Sequence, residues 1–414
     1  MMRCFPSAGH STGMNCRPSH VRPAGVASRG AACPGTGKPF ASGSIPSNPS
    51  SNPAIPPMPT HHDATILGAG PAGSLAALIL ARAGFDVLLL DKAEFPRPKV
   101  CGDCLHPRSW EIWDRQGLTG GFEALEHYPI HHLQISADFR SPATLPLEAR
   151  GRGERAVSRE ILDQWLLEEA RRAGAQVRTR CIPYELKPNN TLITSHGIFQ
   201  GRVLIGADGR NSWLAHQAGL SAPRSRCPRT AWQTTLPVDR AADAVHMTFF
   251  PEGYFGLAPF NARQANLCMV LQQKARTTPQ AIAERYFPGC GPLTWRSSAP
   301  ITRPAFRPAG GRVLLAGDAA RVVEPFTGEG ITMALASGEL AADLTLRALS
   351  HGQLDQLAAA YTAAHHALYQ RVSWQNGLTR WLGTHPRWGR AASRMLASCP
   401  VLARRLAAPV FTSC

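Results

Sequence analysis

Acidic residues are missing from the first 62 positions of this 414-residue chain and again from Gln356 to Cys414. Apolar periodicity is also missing from the first stretch, where Pro, Gly and Ser fill nearly half of Met1–Thr60. With so little apolar surface to bury, such a segment cannot offset its conformational entropy. Residues 1–62 therefore read as a disordered leader or the product of a mis-assigned start, with Met58 as the natural first residue. Met1–Phe40 lacks the continuous apolar core of about 7–15 residues that a secretory signal requires. Arg and Ser without acids suit a transit peptide, but the prolines oppose an amphipathic helix there. Long apolar runs are absent elsewhere too: Arg82 and Asp86 interrupt the most apolar stretch, Ser74–Leu90, short of the roughly 18–20 residues of a membrane span. The eleven cysteines follow no regular spacing, which argues against a disulfide framework and for a reducing compartment. Zinc-finger spacing, an aromatic RNA-binding signature and Lys-rich runs are all lacking, so the formal charge of +16 does not point to nucleic acid. Five positive charges fall in the leader and seven in the acid-free C-terminal stretch, leaving +4 for the chain between them.

What is present is the composition of a folded protein, 44% hydrophobic and 17% charged. Ala64-Thr-Ile-Leu67 predicts a buried strand, Gly68 to Gly73 a tight turn, Ser74–Ala83 a helix and Asp86–Asp91 a second buried strand, together a βαβ unit. Ser158–Ala173 predicts another helix, Val177–Arg180 the start of a strand, and Val203–Ala207 and Arg312–Ala316 buried strands. Glu329–Ala348 predicts a further helix. Between Ala231 and Leu271, short alternating strands with turn signals predict an antiparallel sheet. The expected fold is α/β: a Rossmann-like nucleotide-binding domain from discontinuous segments (63–125, 150–215 and 305–350). Into it is inserted a mainly antiparallel substrate domain (126–149 and 216–304), and a basic helical segment, 351–414, follows.

Gly68-x-Gly70-x-x-Gly73, between strand and helix and with Asp91 ending the next strand, fits dinucleotide binding. Gly68 and Gly70 allow close approach to a pyrophosphate, Gly73 lets helix pack on strand, and Asp91 can accept from a ribose diol. Two further glycine signals follow strands: Gly206-Ala-Asp208-Gly209-Arg-Asn-Ser212, and Gly317-Asp318 with Pro325-Phe-Thr-Gly328-Glu-Gly330. In this order the three resemble the FAD fingerprints of the flavoprotein family that includes p-hydroxybenzoate hydroxylase, squalene epoxidase and geranylgeranyl reductase. The resemblance covers about residues 63–350. It implies that Asp318 bonds the ribityl chain, that Gly328 and Gly330 bring backbone N–H groups to the flavin, and that Arg159 helps hold FAD. Ala215 departs from the pattern, since many relatives carry Arg there.

Phe95-Pro-Arg-Pro-Lys-Val-Cys101-Gly-Asp-Cys104 looks like the cysteine-glycine segment of geranylgeranyl reductases. Cys101 then reads either as a catalytic thiol or as one packed by the flavin. Zinc would need about four ligands, and no second CxxC or paired His follows Cys101-x-x-Cys104, so no metal is expected. A disulfide oxidoreductase is also disfavoured, because four residues between the cysteines and a second nucleotide turn are lacking. Pro251-Glu-Gly-Tyr254-Phe-Gly256-Leu-Ala258-Pro259 is similar to the aromatic substrate motif of those reductases. Tyr254 and Pro259 match, while Gly256 and Ala258 replace the expected Trp and Phe, which widens the pocket for a bulkier or ring-bearing substrate. The Trp-x-Trp-x-Ile-Pro strand of flavin halogenases is not found. His61-His62 and His131-His132 are read as solvated.

The resemblance implies an FAD-dependent oxidoreductase that reduces a carbon-carbon double bond of a hydrophobic isoprenoid or polyketide-like substrate by hydride from reduced flavin, with Tyr254 or Cys101 near the proton donor. NAD(P)H or ferredoxin would supply electrons. The alternatives are a monooxygenase acting through a flavin hydroperoxide and a non-catalytic FAD-binding protein. Trp374, Trp381 and Trp388 recur every seven residues among the C-terminal arginines, with Pro386 placed to break the helix. This segment reads either as a peripheral membrane element or as a cap packing its Trp rings over the substrate domain. A cytoplasmic, conditionally membrane-associated location follows.

Overall fold

The computed structural model describes residues 58–149, 151–223, 229–239, 242–298, 301, 303–370 and 372–399. The expected disorder of 1–57, and Arg404 and Arg405, lie outside them. The first strand, Thr60–Leu67, begins earlier than its apolar core suggests. His62 is therefore not solvated: it is 4% exposed and its Nδ1 meets Asp86 Oδ2 at 3.0 Å. His131 and His132 are half-exposed, each facing a carboxylate at 3.5 Å, Glu148 and Asp243 respectively.

Thr60–Leu67 pairs in parallel with Val87–Leu90 on one side and with Gly197–Gly206 on the other. Gln176–Arg178 and Val313–Leu315 extend this parallel set at its two flanks. These strands are near-continuous Val, Ile and Leu because both faces are covered. One face packs on helices Pro71–Arg82, Arg159–Arg172 and Gly330–His351. The other is closed by a hairpin, Pro183–Lys187 with Thr191–Thr194, and by the short helix Trp213–Gln217. The first helix can lie this close because a Cβ on Gly73 would sit 1.9 Å from the Gly68 carbonyl oxygen.

The second sheet has seven strands. Arg229–Pro237, Gln264–Gln272, Gly253–Asn261 and Ala244–Phe250 lie side by side, each pair antiparallel. Ala244–Phe250 then pairs in parallel with His132–Ala137, the exception to an otherwise antiparallel sheet. A small third sheet joins Cys104–Leu105, Tyr128–Ile130 and Glu148–Ala149 around Arg152–Ala156.

Three helices close the described chain: Leu357–Gln370, Ser373–Thr384 and Pro386–Ser398. Pro386 breaks the run as expected and occupies the first turn of the last helix, where its missing N–H costs nothing. That helix meets the second sheet through small residues: a Cβ on Gly389 would lie 2.4 Å from the Phe249 ring, and Ser393 is buried. The Trp rings stay largely at the surface, with Trp374 also lining a cavity against the sheet. Trp374, Trp381 and Trp388 are 52%, 45% and 60% exposed.

Candidate functional site

Two cavities meet at the seam between the parallel sheet and the seven-stranded sheet. The first is lined by the chain turns that the glycine signals mark. Gly70, Pro71, Arg159, Gly209, Gly317, Asp318, Pro325, Gly328 and Gly330 all face it. Two helices present their N-terminal turns to it, Pro71–Arg82 from Gly70 and Gly330–His351 from Glu329, and neither carries a side-chain cap. Their free N–H groups and positive dipole ends favour an anion.

Three cations line the same cavity: Lys99, Arg159 and Arg210. Burial and the neighbouring Arg159 lower the pKa of the Lys99 ammonium. Arg210 holds a buried Nη1 with no partner, and its Nη2 lies 3.8 Å from Asp318. Arg159 is the first residue of its helix, with Ser158 as the N-cap, and its guanidinium clasps Asp163 through two 2.8 Å bonds. Gly68, Gly73, Asp91 and Asp208 stand behind the lining. Asp91 accepts from the Ala69 and Ala93 N–H groups at 2.8 Å each, which fixes the turn. Asp208 accepts from Leu214 N at 3.1 Å, and burial raises its pKa. A buried arginine nitrogen without a partner beside two uncapped helix ends is a cradle for a diphosphate, so these residues fit a dinucleotide.

The second cavity, of about 240 Å³, is apolar. Leu133, Leu145, Val245, Met247 and Phe249 form one wall, and Leu378, Leu382 and Leu396 of the last two helices form another. Tyr254, Gly256 and Ala258 alternate into it from their strand. Pro259, expected with them, is not among the lining residues, because strand alternation turns it to the other face. A Cβ on Gly256 would stand 2.9 Å from Met247 Sδ, so the glycine keeps this wall open. Gly102, Cys104, Cys268, Pro325 and Gly328 line both cavities.

The expected proton donors are engaged otherwise. The Tyr254 hydroxyl donates to Glu324 Oε1 at 2.7 Å. Glu324 in turn receives Arg229 through bonds of 2.8 and 2.9 Å, and both side chains are 1% exposed. Asn376 accepts from the Glu324 N–H at 2.7 Å, tying this buried group to the helix Ser373–Thr384. Cys101 lines the first cavity only, and burial raises its thiol pKa, which opposes a thiolate nucleophile. Both Cys101 and Cys104 are free thiols.

Sequence reasoning passed over Lys99, Arg210, Arg229, Glu324 and Glu154. The first two lie inside the quoted motifs. Arg229 and Glu154 lie on strands and Glu324 just before the turn at Pro325, with no spacing to mark them. Glu154 belongs to Arg152–Ala156, is 4% exposed and faces the apolar cavity, and burial pushes its carboxyl up to about 7. Asp103 is likewise pushed up to about 7 by burial, but bonds inward to Asn266 and Gln233 at 2.9 and 3.3 Å.

Residues 61–373 match the model of a family described as FAD binding domain. A digeranylgeranylglycerophospholipid reductase of Methanopyrus kandleri is 28% identical over 320 residues, covering 69% of this chain and 77% of its own. A menaquinone reductase of Mycolicibacterium smegmatis is 29% identical over 316 residues, covering 69% of this chain and 77% of its own. Among solved structures, a geranylgeranyl bacteriochlorophyll reductase-like protein of Thermoplasma acidophilum superposes with a TM-score of 0.70 at 21% identity. The match covers 81% of this chain and 91% of that one.

Proposed function

The chain belongs to the FAD binding domain family and is an FAD-dependent oxidoreductase, and from that premise we propose that it reduces a carbon-carbon double bond in a prenylated, ring-bearing lipid. The observation that carries this reading is the shared wall. An apolar cavity opens onto the dinucleotide cradle across Gly102, Cys104, Cys268, Pro325 and Gly328, side chains too small to screen one cavity from the other. Relatives named for a prenylated glycerophospholipid and for menaquinone support a substrate with an isoprenoid tail, and the second of these carries a ring. Gly256 and Ala258, small where large aromatics would narrow the space, support the ring.

In this reading Lys99, Arg159 and Arg210 with the two helix N-termini hold the diphosphate, and Asp318 holds the polyol. Gly328 and Gly330, at a helix N-terminus, would supply backbone N–H groups to stabilise the negative charge that develops on the flavin on reduction. Bound FAD supplies two electrons and a hydrogen to the substrate. The apolar lining excludes water from that transfer, and the buried Glu324 group keeps Tyr254 fixed as wall rather than as acid. NAD(P)H or ferredoxin reloads the cofactor.

The test is anaerobic. The FAD-loaded protein is reduced by dithionite, mixed with a geranylated naphthol, whose ring cannot accept the electrons, and followed at the flavin absorbance. Reoxidation without oxygen, with a saturated product, is expected. Reoxidation only on admitting oxygen, with a hydroxylated product, would replace the reductase by an oxygenase. Replacing dithionite by NADPH, NADH or reduced ferredoxin identifies the donor.

The last two helices place Trp374, Leu378, Trp381, Trp388 and Met395 at the surface, beside the exposed Arg387 and Arg394. Trp374 and Leu378 also line the apolar cavity. This supports contact with an anionic bilayer, aromatics at headgroup depth and arginines on lipid phosphates, from which a lipid substrate enters. Among the described residues no helix is long and apolar enough to cross a membrane. Co-sedimentation with phosphatidylglycerol vesicles should fall at least tenfold in Trp381→Ala/Trp388→Ala. Equal binding by the variant would remove the contact.

A further inference from the structure

Among the described residues, Glu154 is the only carboxyl in the lining of the apolar cavity. Its placement is specific: it stands on Arg152–Ala156 at the junction, with Oε1 3.8 Å from where a Cβ on Gly328 would lie. The Cys104 thiol, from the adjacent strand, is its hydrogen-bond neighbour and the titratable group that faces it. Cys104 is itself held neutral, its pKa raised by burial and by Glu154. The remaining groups near it are otherwise occupied. Arg155 reaches Glu154 only at the backbone carbonyl, and its guanidinium lies over the Trp110 ring. Across the cavity, the Tyr254 hydroxyl is spent on Glu324. A carboxyl in this position, facing an apolar cavity and without a counter-cation among the described residues, keeps its proton near neutral pH.

We propose that Glu154 is the proton donor of the substrate cavity. The inference rests on the reductase reading above. Its Oε–H bond breaks as a C–H bond forms on one carbon of the double bond. The other carbon receives a hydrogen with two electrons from the reduced flavin. The double bond is thus reduced by two electrons and two hydrogens, and Glu154, left as carboxylate, takes a proton from water when the product leaves. A donor poised near the working pH has its proton available and gives it up readily, which is worth about 10²–10⁴ in rate.

Two measurements on the full-length, FAD-loaded protein test this. Infrared difference spectra between Glu154→Gln and wild type isolate the C=O stretch of the protonated Glu154 carboxyl. That band should disappear as pH rises through about 7. Its absence down to pH 5 would overturn the proton-holding role. Anaerobic single turnover of the dithionite-reduced protein with the geranylated naphthol should be about 100-fold slower in Glu154→Gln and lose its pH dependence. Glu154→Asp should recover part of the rate, and in D₂O the wild-type product should carry two deuteriums, one from Glu154 and one from the reduced flavin, whose transferable hydrogen also comes from solvent. An unchanged rate and pH profile in Glu154→Gln, with wild type turning over, would overturn the donor role alone. Failure of wild type itself to turn over anaerobically would overturn the reductase reading and with it the delivery step, while the infrared titration still judges the proton. Should Glu154→Gln not fold, a Glu154→Asp protein with wild-type rate and pH profile would refute the proposal equally.

Discussion

Replacing Glu324 by Leu should remove most of the stability of the protein, although Glu324 touches neither cofactor cradle nor substrate. Its carboxylate neutralises Arg229, and both are 1% exposed at bond distances of 2.8 and 2.9 Å. Stripping one partner from such a buried pair costs about 3–5 kcal/mol, because the surviving charge stays in a medium that cannot solvate it. The Tyr254 hydroxyl loses its acceptor as well, for about 1–3 kcal/mol more. The total, about 4–8 kcal/mol, rivals the 5–15 kcal/mol that holds a typical domain together. Tyr254→Phe leaves the ion pair intact and should cost only about 1 kcal/mol. Arg229→Met in the Glu324→Leu background removes the two fully buried charges, leaving only the part-exposed Arg380 that lies 3.9 Å from Glu324, and burying apolar side chains of similar volume should restore most of the loss. Urea unfolding followed by Trp fluorescence, on the four proteins, reads the ranking. The reasoning would be refuted by a double variant no more stable than Glu324→Leu alone, since the cost would then come from packing and not from an orphaned charge.

Gly73→Ala places a methyl 1.9 Å from the Gly68 carbonyl oxygen, so the helix must shift and FAD should be lost on desalting while far-UV circular dichroism is retained. Gly256→Phe fills the apolar cavity, its Cβ alone standing 2.9 Å from Met247 Sδ; binding of the geranylated naphthol should weaken at least tenfold, for about 1–3 kcal/mol of stability. The folded pKa of Glu154, about 7, lies above its unfolded 4.5, so the native state binds the extra proton. Its stabilisation is complete below about pH 4.5 and vanishes above about pH 7. Between those limits wild type should lose about 3 kcal/mol relative to Glu154→Gln, seen as a converging or crossing pair of denaturation curves against pH.

Glycine and strand periodicity made the parallel sheet and its turns legible, because a βαβ unit forces a short buried run, a turn without Cβ atoms and an apolar helix into one contiguous stretch. The antiparallel ladder was legible for the same reason, as alternation with turn residues. What sequence reasoning missed depends on long-range company. Arg229 meets Glu324 across 95 positions, and charged residues read by default as surface. Glu154 stands between Gly153 and Arg155 in a stretch with no motif to mark it, while its burial comes from strands on either side of it. His62 was misread because composition, not pairing, set the edge of the leader. Pro259 was a failure of a different kind: alternation from Tyr254 and Gly256 already turned it away. A seven-residue Trp spacing defines one side of a helix but not what that side meets, and here the small residues Gly389 and Ser393 face the sheet instead.

The two cavities draw their walls from different parts of the chain. The cradle is built from turns fixed by hydrogen bonding and close packing, whereas the outer wall of the apolar chamber comes from residues 374–396, which approach the sheet through Gly389 and Ser393. Selection can therefore reshape the entrance without retuning the redox machinery. A chimera carrying the final two helices of a relative would inherit that relative's appetite for lipids while keeping its own electron chemistry.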